Sequence, residues 1–159
     1  GIEKIGWLRS AAWSKPALIL MALWGGSGGS MLIFLAALKE IPQSLMEAAM
    51  MDGANVWQRF TNVTIPMISP TIFFNLVMGI IGSFQVFASA FVSSSGTTAG
   101  PLNSVLMYML LLYRNAFRYF NMGYASAMAL VMFIVLVLIT LALIRSSNTW
   151  VYYEAGGRR

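Results

Sequence analysis

The chain has 159 residues, 58% of them hydrophobic and only 9% charged, with a mean hydropathy of +0.74. A soluble domain carries about 25% charged residues, so the composition describes an integral membrane protein. Ten Lys and Arg against five acids leave a net charge of +5, but the cations are scattered, which argues against a nucleic-acid footprint and suits lipid headgroups.

With no cysteine and no histidine, the chain lacks a disulfide frame, a thiolate nucleophile, sulfur metal ligands and an imidazole proton shuttle. The first residue is Gly1, and no cleavable signal follows it. The expectation is a fragment whose beginning is missing.

Residues 1–15 mix Trp7 and Trp13 with Lys4, Arg9 and Lys15, a composition that belongs at the membrane interface. Residues 16–38 carry no charge over about 23 positions, enough at 1.5 Å per residue to cross a hydrocarbon layer of about 30 Å. This is the first span. Its Gly25-Gly26-Ser27-Gly28-Gly29-Ser30 run has no following Gly-Lys-Ser/Thr, so it reads as a place where helices pack closely or bend rather than a phosphate loop.

Residues 40–65 form a polar connector, and 66–92 are again uncharged. The second stretch is longer than a span needs, so tilt, a kink near Pro70 or an early interfacial turn is expected. Residues 93–120 form a loop: Ser93 to Gly100 are turn formers, and Leu102 to Tyr113 make a short apolar helix, capped by Asn103 or Ser104, that cannot cross a bilayer. Residues 121–144 are the third span and 145–159 a polar tail. The fold class is therefore all-α, a polytopic membrane helical bundle of three spans with connector helices and one short interfacial helix. Basic residues divide five against five between the two sides, so the positive-inside rule returns no orientation.

The connector is the informative stretch. Pro42 suits a first helical turn, Ser44 with Glu47 reads as a capping box, Leu45 to Met51 are helix formers, and Gly53 supplies a stop. A second helical piece, about Ala54 to Thr61, precedes Pro66. Leu45, Ala48 and Ala49, with Met46 and Met50 beside them, make a small apolar stripe flanked by Glu47 and Asp52. Two readings stay open on these grounds: the stripe rests on headgroups or on the chain's own spans, or it docks into the groove of a soluble partner. Catalysis by Glu47 and Asp52 is disfavoured, because five residues apart they diverge by about 140° on a helix.

Glu47-Ala48-Ala49, Gly53, Val63 and Ile65-Pro66 fall at the spacings of the cytoplasmic signature of bacterial ABC importer permeases, with Val for Ile and Ile for Leu as mild departures. Pro42, Asp52, Phe60, the Phe84-Gln85-Val86-Phe87 run, Asn121 to Ala127 and Trp150 to Glu154 extend the likeness to the carbohydrate, maltose-type branch. The chain thus resembles the last spans of such a permease. The resemblance implies that the connector and tail are cytoplasmic in a bacterial inner membrane and that two permease subunits pair. It further implies that the connector helix enters a cleft on an ABC ATPase subunit and that an extracytoplasmic solute-binding protein delivers the substrate. Glu47, Ala48, Ala49, Asp52, Gly53, Phe60 and Pro66 would form the coupling set. Glu47 would pair with a donor on the ATPase, the alanines would allow close approach, and Gly53 would serve as the joint. The family often has an acidic residue and a Gly-rich loop after the position of Phe87, where this chain has Ala88-Ser89-Ala90 and a Ser/Thr loop.

For the substrate path, Asn75, Ser83, Gln85 and Tyr124 are polar groups in or at the edges of the spans, and they serve equally as interhelical glue. No metal site and no cofactor are expected on this chain; ATP is used by the partner, since there is no Walker A motif. A permease for a non-sugar solute is an alternative. An ion-coupled transporter fits less well, because the three uncharged runs lack the ionisable group that such coupling uses.

Overall fold

A computed structural model describes residues 7, 8, 10–93 and 101–152. The expectations placed on Lys4, Arg9, the Ser94 to Gly100 turn and the tail from Tyr153 to Arg159 lie outside the described residues. Helix α1 (Ser14–Glu40) is followed by α2 (Gln43–Met51), α3 (Val56–Arg59), α4 (Ile65–Phe84), α5 (Ala88–Ser93), α6 (Tyr108–Tyr113) and α7 (Met122–Trp150). No strand occurs among the described residues. Three helical segments, Ser14–Glu40, Val56–Ser93 and Met122–Trp150, are long and apolar enough to cross a membrane, yet only 6%, 6% and 11% of their most apolar windows are buried within the chain. The remaining apolar surface calls for lipid or other protein around it.

Helix α1 runs through its Gly/Ser stretch without a break in its helical assignment. Among the described residues nothing lies within 4 Å of where a Cβ on Gly25, Gly26, Gly28 or Gly29 would sit.

The chain divides into two compact units: 1–26 with 80–138, and 27–79 with 139–159. In the first, Leu18, Ala90, Val105 and Leu110 are buried together and Val86, Phe87, Phe91, Leu106 and Met107 pack against them. Phe87 stacks on Phe91 at 5.3 Å between centroids and meets Tyr113 at 5.1 Å. This cluster decides one point that the sequence leaves open and one that it misplaces. The uncharged stretch 66–92 is not one helix: α4 ends at Phe84, and Gln85-Val86-Phe87 leave helical geometry before α5. The short helix starts at Tyr108 rather than Leu102, because Leu102 and Asn103 take positive φ of 53° and 57° and Leu106-Met107 run as irregular backbone onto the cluster. Neither Asn103 nor Ser104 caps it; its N-cap is Met107. Tertiary burial outweighs local helix preference here. A π turn, Arg114–Arg118, closes the segment, and the Tyr108 hydroxyl donates to the Met128 carbonyl of α7 at 2.7 Å.

In the second unit, Thr64, Ile68, Ser69 and Ser147 are buried. Phe73 of α4 meets Trp150 of α7 edge-on at 5.9 Å. Pro70 sits inside α4 without ending it.

Candidate coupling site

The connector between α1 and α4 is built from local rules. α2 begins at an N-cap of Pro42, whose ψ of 129° turns the chain into the helix, and no side chain caps it. The expected Ser44/Glu47 box is therefore absent: Ser44 already lies inside the first turn, and only a residue with extended backbone offers its oxygen to the turn that follows. The box occurs one helix later. The Asn55 side chain accepts from the Gln58 N–H and the Gln58 side chain accepts from the Asn55 N–H, each at 2.8 Å. Its sequence signal was Asn-x-x-Gln, one residue class away from the Ser/Thr-x-x-Glu form. Removing it by Asn55→Ala should cost about 1 kcal/mol of local stability. Hydrogen exchange at the Gln58 amide should then quicken about fivefold, and an unchanged rate would discount the box.

Gly53 ends α2. It takes φ +75°, its N–H reaches the Met50 carbonyl and the Ala54 N–H reaches the Ala49 carbonyl, both at 3.0 Å. These are the two bonds of a Schellman motif, which only a residue at ease with positive φ completes without strain.

The second piece does not stop before Pro66. α3 passes through a π turn, Phe60–Thr64, straight into α4, with the Ile65 N–H bonded to the Phe60 carbonyl. Pro66 has no N–H to give and its ring crowds the carbonyl four residues back; a wider turn of i to i+5 bonds relieves both. The loop is thus joined to the span by continuous helix.

The connector's faces are uneven. Met46 and Ala49 turn partly inward, and Met46 lines a cleft of about 360 Å³ with Leu38, Lys39, Ile41, Gln43 and Thr64. Leu45, Glu47, Ala48 and Met50 face out. Of the expected stripe, then, one edge rests on the chain and the other is presented. Met51 is 88% exposed, Val56 73% and Trp57 70%, and Trp57 packs beside Phe60 with centroids 5.7 Å apart. Sequence reading named Phe60 but missed Met51, Val56 and Trp57; large apolar residues in a polar connector were the available signal. Among the described residues the Glu47 and Asp52 carboxylates make no hydrogen bond or ion pair, and Asp52 is the C-cap of α2 rather than part of its exposed face.

The four polar residues considered for a substrate path are not brought together by any hydrogen bond. The Asn75 amide donates to the Thr71 carbonyl at 3.0 Å and the Ser83 hydroxyl to the Ile80 carbonyl at 2.7 Å, each within its own helix. Gln85 lies exposed in the break after α4 rather than within a span, and Tyr124 is exposed in the first turn of α7. No cluster of His, Cys, Asp and Glu able to hold a metal occurs among the described residues.

Residues 4–151 match the model of a family described as the inner membrane component of binding-protein-dependent transport systems. The chain belongs to that family. It is 50% identical over 153 residues to the probable ABC transporter permease protein YesP of Bacillus subtilis, covering 96% of this chain and 49% of the relative. It is 38% identical over 130 residues to the lactose transport system permease protein LacF of Rhizobium radiobacter, covering 81% and 43%. The crystal structure of a bacterial ABC transporter involved in import of the acidic polysaccharide alginate aligns over 94% of this chain and 51% of that one, with a TM-score of 0.76 at 24% identity. That agreement carries the fold. The chain spans about half the length of the curated relatives it matches.

Proposed function

We propose that the chain is the coupling half of a permease subunit in an ATP-driven importer for a sugar or oligosaccharide. One observation carries this: a Gly-hinged pair of helices stands between two spans, presents Glu47, Ala48, Met51, Trp57 and Phe60 outward, and continues as helix into α4. ATP-driven closure of an ABC ATPase pair favours one state of the permease because the closed pair binds that state better. Glu47, without a partner among the described residues, receives a cationic or N–H donor of the ATPase, and Ala48 admits close approach. Asp52 and Gly53 end the docking helix, while Phe60 and Pro66 shape the turn that transmits its motion. A second permease subunit covers the open sides of the spans, and an extracytoplasmic binding protein delivers the solute. Hydrolysis belongs to the partner ATPase. The sugar reading is supported by relatives named for lactose, arabinooligosaccharide and starch-product transport.

The test is uptake and ATPase stimulation by the assembled transporter in proteoliposomes against a panel of sugars, each with the cognate binding protein. Sugar-stimulated hydrolysis with uptake is expected; gradient-driven uptake that ignores ATP and collapses with an ionophore would overturn the reading. Of the path residues Asn75, Ser83, Gln85 and Tyr124, the first two bond within their own helix, and Gln85 and Tyr124 have side chains with no hydrogen bond among the described residues; of these Gln85 carries both a donor and an acceptor for a sugar hydroxyl. Gln85→Ala is expected to raise the KM for the solute about fivefold, the worth of one neutral hydrogen bond, while kcat holds. An unchanged KM removes Gln85 from the path.

A further inference from the structure

Pro70 and the tail meet through one hydroxyl. Proline at position 70 cannot donate to the carbonyl four residues back, so α4 leaves the Pro66 oxygen without its helical partner. The Ser69 hydroxyl donates to that oxygen at 2.6 Å. Its proton is thereby fixed, and its lone pair accepts the Tyr152 N–H at 2.9 Å. Ser69 is 2% exposed, so water does not compete for either bond. Phe73, four residues on and on the same face of α4, packs edge-on against Trp150 at 5.9 Å. Ser69 and Phe73 therefore grip the two sides of the point where α7 ends, Phe73 through the Trp150 ring and Ser69 through the Tyr152 N–H, the next after the Val151 N–H that still bonds the Ser147 carbonyl.

The position of this grip matters. Helix runs unbroken from the connector at Val56 through the π turn into α4, and Ser69 comes within the first turn and a half after that junction. A push delivered to the connector reaches Ser69 before it reaches the middle of the span. We infer that Ser69 is a positioning residue, which with the Tyr152 backbone N–H makes the start of α4 and the end of α7 move together, so that one coupling loop drives two spans. This rests on the importer reading above. A hydroxyl is suited to the role because it holds the tail by direction as well as contact: the bond is lost if α7 slides or turns relative to Ser69.

The experiment uses the assembled transporter in proteoliposomes and reads solute taken up per ATP hydrolysed, a ratio that a mere loss of stability leaves alone. Ser69→Ala should lower the ratio roughly fivefold, as for one lost neutral hydrogen bond, and Ser69→Thr, which keeps the hydroxyl, should restore it. Tyr152→Pro, which removes the N–H, should match Ser69→Ala, and the double variant should be no worse than either alone. Tyr152→Ala keeps the N–H and should behave as wild type. A wild-type ratio in Ser69→Ala, or effects that add in the double variant, would overturn the inference. A second measurement stands apart from transport. These 159 residues hold no cysteine, so Tyr152→Cys gives them a single thiol, and its labelling by a bulky polar maleimide, read on the peptide that carries position 152, should quicken about fivefold when Ser69→Ala is added. An equal rate overturns the link whatever the transporter does, whereas a wild-type assembly with no ATP-driven uptake overturns the importer reading and leaves the labelling result to judge the link.

Discussion

Gly53→Val should cut ATP-driven uptake by roughly tenfold or more while the protein still inserts in the membrane. Gly53 holds φ at +75°, where a β-branched side chain costs about 1–2 kcal/mol, and both carbonyl bonds that finish α2 depend on that conformation. Relief of the strain requires the chain to leave αL, which breaks the Gly53 and Ala54 bonds to Met50 and Ala49 and lets α2 swing relative to α3. Space is not the problem, since nothing lies within 4 Å of a Cβ built at this site; the whole effect is in the backbone. Gly53→Asn supplies the control, because Asn tolerates αL with a short side chain, and it should retain most of the uptake. A Gly53→Val transporter with wild-type uptake and normal yield would show that the angle between α2 and α3 is not what coupling uses.

How far the sequence foretold the fold follows the range of the interactions involved. The three candidate spans and the positive φ of Gly53 depend on hydropathy and steric limits that act within a few residues, and these features were legible. The late start of α6 at Tyr108 was not, and the excess length of 66–92 pointed to tilt, a kink or an early turn without placing the break at Gln85-Val86-Phe87. Both arise because Phe87 and Val105 are recruited to a cluster whose members run from Leu18 to Leu110. The Ser69 bond to Tyr152 joins positions 83 residues apart, and Ser69 beside Pro70 in an apolar run gives only half of the signal. In the connector, the helix and its stop follow from the sequence, but the Ser44 box on α2 does not form, because Pro42 already sets the backbone that a capping residue needs, and the box appears on α3 at Asn55. Exposure was the hardest quantity to foresee: spacing put Ala49 and Met46 on one stripe and left open whether it rests or is presented, and packing draws these two inward while Met51 and Trp57 stay outside.

Trp57→Ala should weaken retention of the ATPase subunit by the assembled permease about 30-fold, the loss of an aromatic anchor worth about 2 kcal/mol. An indole 70% exposed on a four-residue helix is costly to leave in water, and its one described ring neighbour, Phe60, is itself 43% exposed. The capping box of Asn55 and Gln58 holds the backbone under it in place, so an arriving partner would meet a rigid anchor and lose little side-chain freedom on binding. Two destinations fit an exposed tryptophan in a membrane protein, headgroups and a protein cleft, and the variant separates them. If Trp57 rests at the lipid interface, its removal should loosen the connector from bilayers and leave ATPase retention in detergent unchanged. If it is the docking anchor, retention in detergent should fall, and Trp57→Phe, which keeps a ring but loses area and the N–H, should lie between. Glu47→Ala bears on the same surface through charge rather than area. Its loss should be steeper at low salt than at high, because an exposed pair is screened, whereas the Trp57 loss should be nearly indifferent to salt. A uniform response of both variants to ionic strength would mean that the connector meets its partner through charge alone and that its exposed aromatics serve some other surface.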